Sequence, residues 1–480
     1  MLKDRLSEMV YKQYRLSEET AYEELEVSAE TLLSSKRLDI AAKYLYLSLR
    51  RLCPDYARKV YLEHIRCMTK GSYVEPYSNK NTKEKFVDSF EKLVQELQNN
   101  GYSPTALPVP IDRNYKIMDG AHRVAACLYL GIPIRVIKID IEAEYDVYDQ
   151  SFFLNTGIDN EILDAIMIQY VSINNNCVCL NIWPSATGHD KELYSSINKY
   201  FFIDYQKEVS LNENGAFYYL AQIYSEYSWA QNNQNGFSGI YRKLLPCFPT
   251  FSPVRVLFLE LKDKKNDLIT IKEELRNIYE LEKHSLHITD SHLDTLQMAK
   301  IVLSNNSIDF LNHSNVTAFS NTLKLLGEAK DKAKERRNIV FTGSIVLALY
   351  GVRMANDLDY ISDDPSDNNA HNQYLPMYGF GMNEALFNPN LQFVFFDLNF
   401  LTLSIVKRFK ENRGEKKDIE DLNLIRNVLS ENEIGLKVKM IRVRRRMIAN
   451  IEGFIIRIAH ATGTYEVLRT IYKKVLGKGE

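Results

Sequence analysis

Apolar residues recur with a helical period along much of this chain, interrupted by a few extended apolar runs. In residues 1–60 the run SEETAYEELEVSAETLLSSKRLDIAAKYLYLSLRRL has apolar residues at i, i+3 and i+4, which predicts helices. The run TKEKFVDSFEKLVQELQNNGY predicts a further amphipathic helix that ends at Asn-Asn-Gly. After it come the short segment LPVPI, an extended run over 115–119, a helical run over 121–130 and the strand-like PIRVIKIDI. This order predicts a compact α/β domain over residues 61–145.

Two more mixed regions and a tail follow. Residues 150–315 contain the strand-like runs NCVCLNIW and VRVLFLEL and the helical run LITIKEELRNIYELE. Residues 316–436 begin with the helical run NTLKLLGEAKDKAKERR, which leads into the strand-like NIVFTG. Residues 437–480 form a basic amphipathic tail. The pattern therefore predicts an α/β (α+β) multidomain protein: N-terminal helices, a first α/β domain, a middle mixed α/β domain, and a C-terminal α/β domain with a helical tail.

The composition places the chain among ordinary globular proteins. It has 480 residues, 45% of them hydrophobic and 25% charged, and a formal net charge of −2. A nearly neutral chain does not coat nucleic acid by charge alone, so nucleic acid is not an expected partner. The six cysteines are scattered without paired CxxC elements, which predicts reduced thiols. The sequence has neither an apolar signal region nor an apolar run long enough to span a bilayer, which predicts a cytoplasmic protein.

Basic residues are concentrated in the last part of the chain. Residues 437–480 carry 11 lysines and arginines against 3 acidic residues, with apolar residues between them at helical spacing. Such a segment can lie on an anionic membrane surface and hold the protein at the inner face of the membrane. A pair of helices that docks on the protein with a solvated basic face would produce the same pattern, so both interpretations stay open.

The first group of candidate functional residues is the run DGAHR at 119–123. A turn from an extended run into a helix exposes backbone N–H groups at the positive end of the helix dipole, which favours an anion. Gly120 permits a ligand to approach the backbone closely. Arg123 can bind phosphate oxygens in bidentate fashion, and His122 can donate or transfer a proton. A surface turn with two solvated side chains would have the same spacing.

The segment IMDGAHRVAACLYLGIPIRVIKI, with the helix and the LPVPI run before it, resembles the ParB/sulfiredoxin fold over about residues 66–140. Members of this fold bind nucleotide phosphates with a Gly-x-His/Arg-Arg turn. Ala121 stands where sulfiredoxins have their reactive cysteine, which excludes their thiol chemistry. Partition proteins have an arginine at the position of His122. The branch of small-molecule kinases, with its Asp-Gly-x-His-Arg turn, is therefore the nearest.

The kinase resemblance implies roles for individual residues. The turn from Gly120 to Arg123 would contact the phosphates of ATP or another nucleotide, with Mg²⁺ as the metal. Asp119 at the turn and Glu75 in GSYVEPYSNK would be catalytic together with His122, and Glu75 resembles the base of the kinase branch. A lone carboxylate that caps a turn or lies on the surface is the alternative for each acid.

A second group of polar residues occurs in the middle region. Lys272 and Arg276 fall one helical turn apart in TIKEELRNI, and the run EKHSLHITDSHLDT adds His287 and Asp290. A Lys/Arg pair that faces a His/Asp cluster can bind a phosphorylated or acidic substrate, so these four residues are predicted substrate contacts. The run HITD is also typical of a strand end that caps the next helix through Thr289 or Asp290.

The third group lies in NIVFTGSIVLALYGVRMANDLDYIS. A strand-like run ends in Gly343-Ser344, a helical run follows, and a second strand-like run begins with Asp357 and Asp359. Alternate residues of a strand face the same way, so the two carboxylates are predicted to share one site. They would repel each other without a divalent cation between them, and Mg²⁺ with a triphosphate fits this requirement. Gly343 and Ser344 at the helix start would hold the phosphates.

This arrangement resembles the nucleotidyltransferase fold of the polymerase-beta type over about residues 338–430. Downstream, KRFKENRGEKKDIEDLNLI resembles a helix in bacterial members that are linked to surface polysaccharide synthesis. The resemblance implies that Asp357 and Asp359 are catalytic metal ligands, and that Asp397 in FVFFDLNFLTL supplies a third ligand. It also implies three phosphate or substrate contacts: Lys407, Arg413 and Lys417.

Two phosphate-handling sites in one chain predict a bifunctional phosphotransfer enzyme. One site would phosphorylate a small hydroxyl-bearing metabolite with ATP or ADP, and the other would transfer a nucleotide to the product with Mg²⁺. The resemblance implies that this product is an activated precursor for a surface glycan. The alternative is a nucleic-acid-acting protein, either a ParB-like DNA-binding protein or nuclease, or a toxin-like nucleotidyltransferase. The sequence is compatible with an oligomer.

Overall fold

Three small sheets, each covered by helices, organise the residues that the structure describes. The structure is a computed structural model, and it describes residues 2–75, 78–103, 105–143, 147–225, 227–230, 236–263, 265–365, 367, 370–429 and 464. Its mixed α/β architecture confirms the predicted fold class. The predicted basic tail, residues 437–480, lies outside the described residues except for Thr464. Across the described ranges, no helix is both long enough and apolar enough to cross a membrane.

The first α/β unit contains one three-stranded sheet. Its elements are α1 (Glu8–Gln13), β1 (Tyr22–Val27), α2 (Leu38–Leu49), α3 (Pro54–Met68), α4 (Lys83–Asn100), β2 (Val109–Ile111), α5 (Ala121–Leu130) and β3 (Ile134–Ile139). In the order β1-β3-β2, the central strand β3 pairs antiparallel with β1 and parallel with β2. The helices α2 to α5 pack on the sheet through an apolar core that includes Tyr61, Phe90 and Val124.

Strand β1 corrects the prediction that residues 1–60 are helical throughout. The segment YEELEV forms an edge strand that pairs along its whole length with β3. Its acidic side chains meet basic ones across the sheet, and Glu24 lies 3.0 Å from the guanidinium of Arg135. Pairing with a distant strand therefore outweighs the local helical period, because strand formation depends on cross-strand neighbours that periodicity does not contain.

The extended run over 115–119 is also not a strand. It folds back through Tyr115, whose φ is 62°, and only Ile117 forms a bridge, with Ile111. The buried carboxylate of Asp112 accepts two backbone N–H groups of this turn, at 2.8 and 2.9 Å. The helix over 121–130 and the strand after it are confirmed as α5 and β3.

The middle region contains one four-stranded antiparallel sheet. Its elements are α6 (Gln150–Asn155), α7 (Asn160–Ile173), β4 (Cys177–Ile182), α8 (Asp190–Tyr200), β5 (Phe201–Val209), α9 (Glu213–Tyr224), α10 (Tyr241–Cys247), β6 (Val254–Leu261), α11 (Leu268–Asn277), β7 (Leu286–Ile288), α12 (His292–Val302) and α13 (Asn305–His313). The order is β5-β6-β4-β7, so the short β7 is an edge strand. Helices α8 and α11 cover one face through Leu193, Ile197, Ile271 and Leu275.

The C-terminal unit contains a mixed four-stranded sheet. Its elements are α14 (Thr322–Glu335), β8 (Ile339–Thr342), α15 (Ser344–Leu349), β9 (Asp359–Ser362), α16 (Leu375–Tyr378), α17 (Met382–Phe387), β10 (Gln392–Phe395), β11 (Leu398–Leu401), α18 (Leu403–Arg413) and α19 (Lys416–Leu429). The order is β10-β11-β8-β9, with β9 antiparallel and β11 parallel to β8. The end of β8 and the start of β9 therefore lie side by side, with Thr342 opposite Asp359.

One continuous apolar core joins the middle region to the C-terminal unit. The ring of Phe310 on α13 stacks on Phe393 of β10 with centroids 4.2 Å apart. At the β10–β11 hairpin, the backbone N–H of Phe396 donates to the side chain of Gln222 at 3.0 Å. The predicted boundary between residues 315 and 316 therefore runs through shared packing.

The middle sheet buries a carboxyl group that makes stability depend on pH. Burial raises the pKa of Asp204 on β5 to about 7, and the nearby Glu260 acts in the same direction. The folded carboxyl therefore keeps its proton up to about pH 7, whereas the unfolded one releases it near its usual pKa of about 4. The stability that this difference contributes is fully present below pH 4 and is lost as the pH rises to about 7.

We expect Asp204→Asn to remove this dependence, since an amide of the same shape does not titrate. Between pH 5 and 7 the wild type should lose roughly 2 kcal/mol of unfolding free energy relative to the variant, at about 1.4 kcal/mol per pH unit. Urea unfolding followed by the fluorescence of Trp183 and Trp229, the two tryptophans of the chain, measures the difference in this region. Parallel pH profiles of the two proteins would contradict the raised pKa.

Candidate functional site

The turn between β8 and α15 brings two carboxylates together. Gly343 has φ 67° and ψ −132°, and a Cβ there would overlap Oδ2 of Asp359. The Ser344 N–H donates to that same oxygen at 3.4 Å, and its hydroxyl donates to Oδ1 of Asp357 at 3.1 Å. Glycine is required at this bend because the Asp359 carboxylate occupies the space of a side chain. The predicted grouping of Gly343, Ser344, Asp357 and Asp359 is therefore present.

These two carboxylates differ from other acids of the same unit. The buried Asp418 and Asp421 both bind the ammonium of Lys410, at 3.0 and 2.6 Å. Within the described ranges, neither Asp357 nor Asp359 has a basic side chain at ion-pair distance. Two adjacent carboxylates without a cation repel each other, so their placement is typical of a site that a divalent cation completes.

Two residues that the sequence analysis missed lie beside the carboxylates. The Tyr378 hydroxyl is 3.1 Å from the Thr342 hydroxyl and 3.0 Å from Nδ1 of His371. Burial lowers the pKa of His371, although Asp359 and Asp357 oppose the shift, so the imidazole is neutral at pH 7. The run HNQYLPMY contains no spacing that marks either residue, because they reach the turn from α16 and the residues just before it.

The basic side chains of α18 and α19 have structural partners. Arg413 binds Asp418 through two nitrogens, at 2.9 and 2.7 Å, and it is close enough to Asp359 to be influenced by that charge. Burial alone would raise the pKa of Asp418, but Arg413 and Lys410 outweigh it and hold this pKa well below its usual value. Lys417, a predicted nucleotide contact, instead forms an exposed pair with Glu415 at 3.0 Å.

Lys407 is likewise engaged on its own helix. Its ammonium lies 3.5 Å from the carboxylate of Glu411, one turn later on α18. Of the three basic residues in the KRFKENRGEKK run that the resemblance singled out, Arg413 is therefore the one whose charge interacts with Asp359.

The structure corrects the prediction that Asp397 is a third metal ligand. Asp397 lies exposed at the tip of the β10–β11 hairpin, with φ 60°. Strand β11 runs parallel to β8, with Phe400 opposite Phe341. Since β8 runs toward Gly343, the start of β11 and its hairpin lie at the other end of the sheet. Asp397 is therefore separated from Asp359 by the length of the strands, which the spacing along the chain does not reveal.

In the turn at residues 119–123, the hydrogen-bond partners of Arg123 differ from the predicted ones. Its Nη1 donates to the backbone carbonyls of Leu107 and Pro108, at 2.6 and 3.2 Å. Its Nη2 lies 3.5 Å from Asp119 and packs over Gly120, whose φ is 96°. The guanidinium thus ties the helix start to the LPVPI segment, so the predicted phosphate contact of Arg123 is replaced by a structural role. Ala121, beside it, is buried.

We expect Arg123→Gln to destabilise this corner by about 2 kcal/mol, since it removes hydrogen bonds from a charged group to two carbonyls. Hydrogen exchange at the amides of α5 measures this loss of stability locally. A local measurement is needed because the units of the chain can unfold separately. Arg113→Gln is the matched control, because the Arg113–Asp140 pair is exposed and exposed pairs contribute about 0–1 kcal/mol. Equal exchange in the two variants would show that Arg123 has no such role.

The polar groups of the first unit converge around Tyr61 instead. Nε2 of His122 lies 3.0 Å from the Tyr61 hydroxyl. Burial, followed by the charges of Lys43 and Lys80, lowers the pKa of His122 well below its usual value. Glu75 binds Lys80 at 2.9 Å. The predicted catalytic residues Glu75 and His122 therefore share one neighbourhood, and Lys80 is the cation beside them.

A second buried histidine belongs to the same neighbourhood. The ring of His64 lies 5.1 Å from that of Tyr61 and is fully buried. Burial, followed by the charge of Lys43, lowers the pKa of His64 well below its usual value, although Asp39 and backbone hydrogen bonds to Tyr61 and Val60 oppose the shift. The imidazole of His64 is therefore neutral at pH 7. The sequence analysis missed it, since His64 lies within an ordinary amphipathic helix, α3.

The four predicted substrate contacts of the middle region line one pocket: Lys272, Arg276, His287 and Asp290. Lys272 binds Asp290 with 2.6 Å between Nζ and Oδ1. The alternative role of HITD as a helix cap is wrong in its residues, because α12 is capped by the Ser291 hydroxyl, which accepts the Asp294 N–H. The sequence pattern therefore correctly predicted that these four residues lie together.

Comparisons with protein-family models, with curated proteins and with solved structures found no match for this chain. In the described part of the chain, no group of three or more histidine, cysteine, aspartate or glutamate side chains is arranged to hold a metal ion.

Proposed function

We propose that the C-terminal unit performs Mg²⁺-dependent nucleotidyl transfer at the Gly343 turn. The observation that carries the proposal is the meeting of two carboxylates, Asp357 and Asp359, with the Ser344 N–H and hydroxyl at one glycine bend. Neither carboxylate has a basic side chain at ion-pair distance among the described residues. Mg²⁺ is usually held by one or two carboxylates together with substrate phosphates and water, so this pair is sufficient without a third acid.

The residues around the turn have distinct tasks in this proposal. Asp357 and Asp359 would hold Mg²⁺, which neutralises charge on the triphosphate when it is bound. Gly343 leaves room for the Asp359 carboxylate next to the backbone, and Ser344 orients both carboxylates through its two hydrogen bonds. An acceptor oxygen attacks the α-phosphorus, and pyrophosphate leaves. Neutral His371 is placed to accept a proton from the acceptor in this step.

We propose kinase activity in the first unit as a second function. The observation that favours it is the neighbourhood of Glu75, Lys80 and His122 around Tyr61, beside the buried and neutral His64. Lys80 would contact the nucleotide phosphates, as the resemblance implied for Arg123. Glu75 would deprotonate the attacking hydroxyl. The two activities together would make a nucleotide-activated precursor, and its use in a surface glycan rests on the resemblance alone.

The test is a screen of the wild-type protein with Mg²⁺, each nucleoside triphosphate, and a panel of amino acids, polyols and sugar phosphates, followed by phosphorus NMR. Release of pyrophosphate supports nucleotidyl transfer, and formation of the diphosphate supports the kinase. Absence of both with every acceptor would contradict the proposal. A DNA or RNA affinity that falls steeply with salt would favour the alternative of a nucleic-acid-acting protein.

A further inference from the structure

A pocket of about 410 Å³ opens in the middle region beside the edge strand β7. Its walls come from the end of α9, from α10 and α11, and from the residues on either side of β7. Small-molecule sites have volumes of about 300–1,000 Å³, so the pocket has room for a small metabolite. Neither the residues of the Gly343 turn nor those around Tyr61 line it.

Buried basic side chains form one part of the wall. Lys243, Lys272 and Arg276 line the pocket, and their exposed fractions are 7%, 7% and 8%. Lys272 is paired with Asp290, whereas the ammonium of Lys243 donates to the backbone carbonyl of Lys283 at 2.7 Å. Burying a charged group is unfavourable unless an opposite charge compensates it. For Lys243 the described residues supply a carbonyl dipole and the face of the Tyr224 ring, 4.7 Å from its ammonium, but no carboxylate.

Arg276 has a donor that the described chain does not use. Its Nη1 donates to Glu273 at 2.6 Å, but its Nε is buried and has no hydrogen-bond partner among the described residues. The whole pocket is also positive, since five basic side chains line it against two carboxylates: Arg242, Lys243, Lys272, Arg276 and Lys283 against Glu282 and Asp290. An anionic group would satisfy both the unused donor and the excess charge.

His287 contributes hydrogen bonding without charge. Burial, followed by the nearby charge of Lys272, lowers the pKa of His287 to about 3, so its imidazole is neutral at pH 7. Its ring lies edge-on to that of Tyr224, with centroids 5.4 Å apart. The histidine therefore joins the basic part of the wall to an aromatic part.

The aromatic part of the wall is open to solvent. Tyr227 and Trp229 line the pocket with exposed fractions of 47% and 41%, and Tyr224 lies behind them. The Trp229 ring lies 5.4 Å from Tyr224 and 6.2 Å from Tyr227. Large exposed rings beside a basic surface are suited to stacking a planar ring of a ligand.

We propose that this pocket binds a small molecule that combines a planar ring with a phosphate group, as a nucleoside monophosphate does. The ring stacks on Trp229 and Tyr227. The phosphate lies among Lys243, Lys272 and Arg276, where it accepts the unused Nε–H of Arg276. This site does not depend on either of the proposed transfer reactions, because it shares no residue with them.

Trp229 provides a direct reporter for the test. The chain has two tryptophans, and the other, Trp183, is fully buried. The indole nitrogen of Trp183 has no partner among the described residues, so Trp183→Phe removes its emission without breaking a described hydrogen bond. In this background we titrate the full chain with AMP, adenosine and inorganic phosphate and follow the emission of Trp229. We expect saturable quenching by AMP, with at least about tenfold weaker responses to adenosine and to phosphate alone.

Lys272→Gln and Arg276→Gln, each in the Trp183→Phe background, should weaken AMP binding at least about tenfold. Lys191→Gln is the matched control, because Lys191 is an exposed lysine on α8 outside the pocket. AMP should also raise the unfolding midpoint of the protein and of the Lys191 variant, but not that of the Lys272 variant. The unfolding curves without AMP show that each variant is folded.

Three results would overturn the proposal. The first is no saturable response to AMP in the Trp183→Phe protein. The second is an AMP affinity that Lys272→Gln and Arg276→Gln leave unchanged. The third is quenching by a short single-stranded oligonucleotide at concentrations where AMP has no effect, which would make the aromatic wall a strand-binding surface instead.

Discussion

Nucleotidyl transfer should fall by more than about 100-fold in Asp359→Asn. Mutation of a residue that only hydrogen-bonds to a metal ligand lowers metal affinity or activity about 10- to 100-fold. Asp359 is itself a proposed ligand, so its loss should have a larger effect. The amide keeps the shape that Gly343 accommodates and still accepts the Ser344 N–H, so the fold of the turn should persist. Pyrophosphate release at saturating Mg²⁺ and nucleotide is the measurement, with Mg²⁺-dependent nucleotide binding as a second readout.

Two carboxylates outside the turn make this experiment specific. Asp331→Asn is the matched control, since Asp331 is an exposed acid on α14 that pairs with Lys334. Asp397→Asn should also retain activity, because the hairpin places Asp397 at the far end of the sheet. A loss in Asp397→Asn as large as in Asp359→Asn would contradict the separation of Asp397 from the site. Full activity in Asp359→Asn would eliminate the Gly343 turn as the site.

Asp39→Asn should destabilise the first unit by about 4 kcal/mol. Asp39 is fully buried on α2, and its carboxylate binds Arg37 at 2.9 Å and Lys43 at 2.8 Å. Lys43 is also fully buried, so the amide leaves its ammonium without a compensating charge, and breaking a buried pair in this way costs about 3–5 kcal/mol. Hydrogen exchange at the amides of α2 measures the loss.

The same pair sets a pH dependence. Burial alone would raise the pKa of Asp39, but Arg37 and Lys43 outweigh it and hold this pKa well below its usual value. A lowered pKa contributes stability above the pKa of the unfolded state, and this contribution is lost as the pH falls below about 4. The difference between wild type and Asp39→Asn should therefore shrink in acid.

A double variant and a surface variant test whether the uncompensated charge of Lys43 causes the destabilisation in Asp39→Asn. Asp39→Asn with Lys43→Met should be more stable than Asp39→Asn alone, because an apolar side chain then replaces the uncompensated charge. Glu8→Gln should change stability by less than about 0.5 kcal/mol, since the Glu8–Lys12 pair is exposed. If the double variant is no more stable than Asp39→Asn, the buried charge is not the cause of the loss.

Long helices were predictable because their signals are local. The run TKEKFVDSFEKLVQELQNN folds as α4, with the Thr82 hydroxyl as its N-cap and Gly101 after its last turn. Strand β1 was not predictable in the same way, since YEELEV acquires its structure from β3, more than a hundred residues later. Strand pairing of this range depends on neighbours that no window of sequence contains.

The residues of the candidate sites also differ in whether their grouping is visible from local sequence. Gly343, Ser344, Asp357 and Asp359 lie close in the chain, and the spacing Gly-Ser to Asp-x-Asp was enough to predict that they meet. His371 and Tyr378 reach the same turn from α16 and the residues just before it, and no spacing marks them. Likewise, Trp229 joins the pocket of Lys272 and Arg276 only through the packing of separate elements.

The sequence by itself determined the mixed α/β class, helices such as α4 and α5, and the residue groups that are contiguous or one helical turn apart. These depend on backbone propensity and periodicity, which act over a few residues. The tertiary structure alone decided that Arg123 holds backbone carbonyls, that Asp397 lies away from Asp359, and that aromatic and basic walls share a pocket. Strand direction, hydrogen-bond partners and burial arise between distant segments, so only the folded chain contains them.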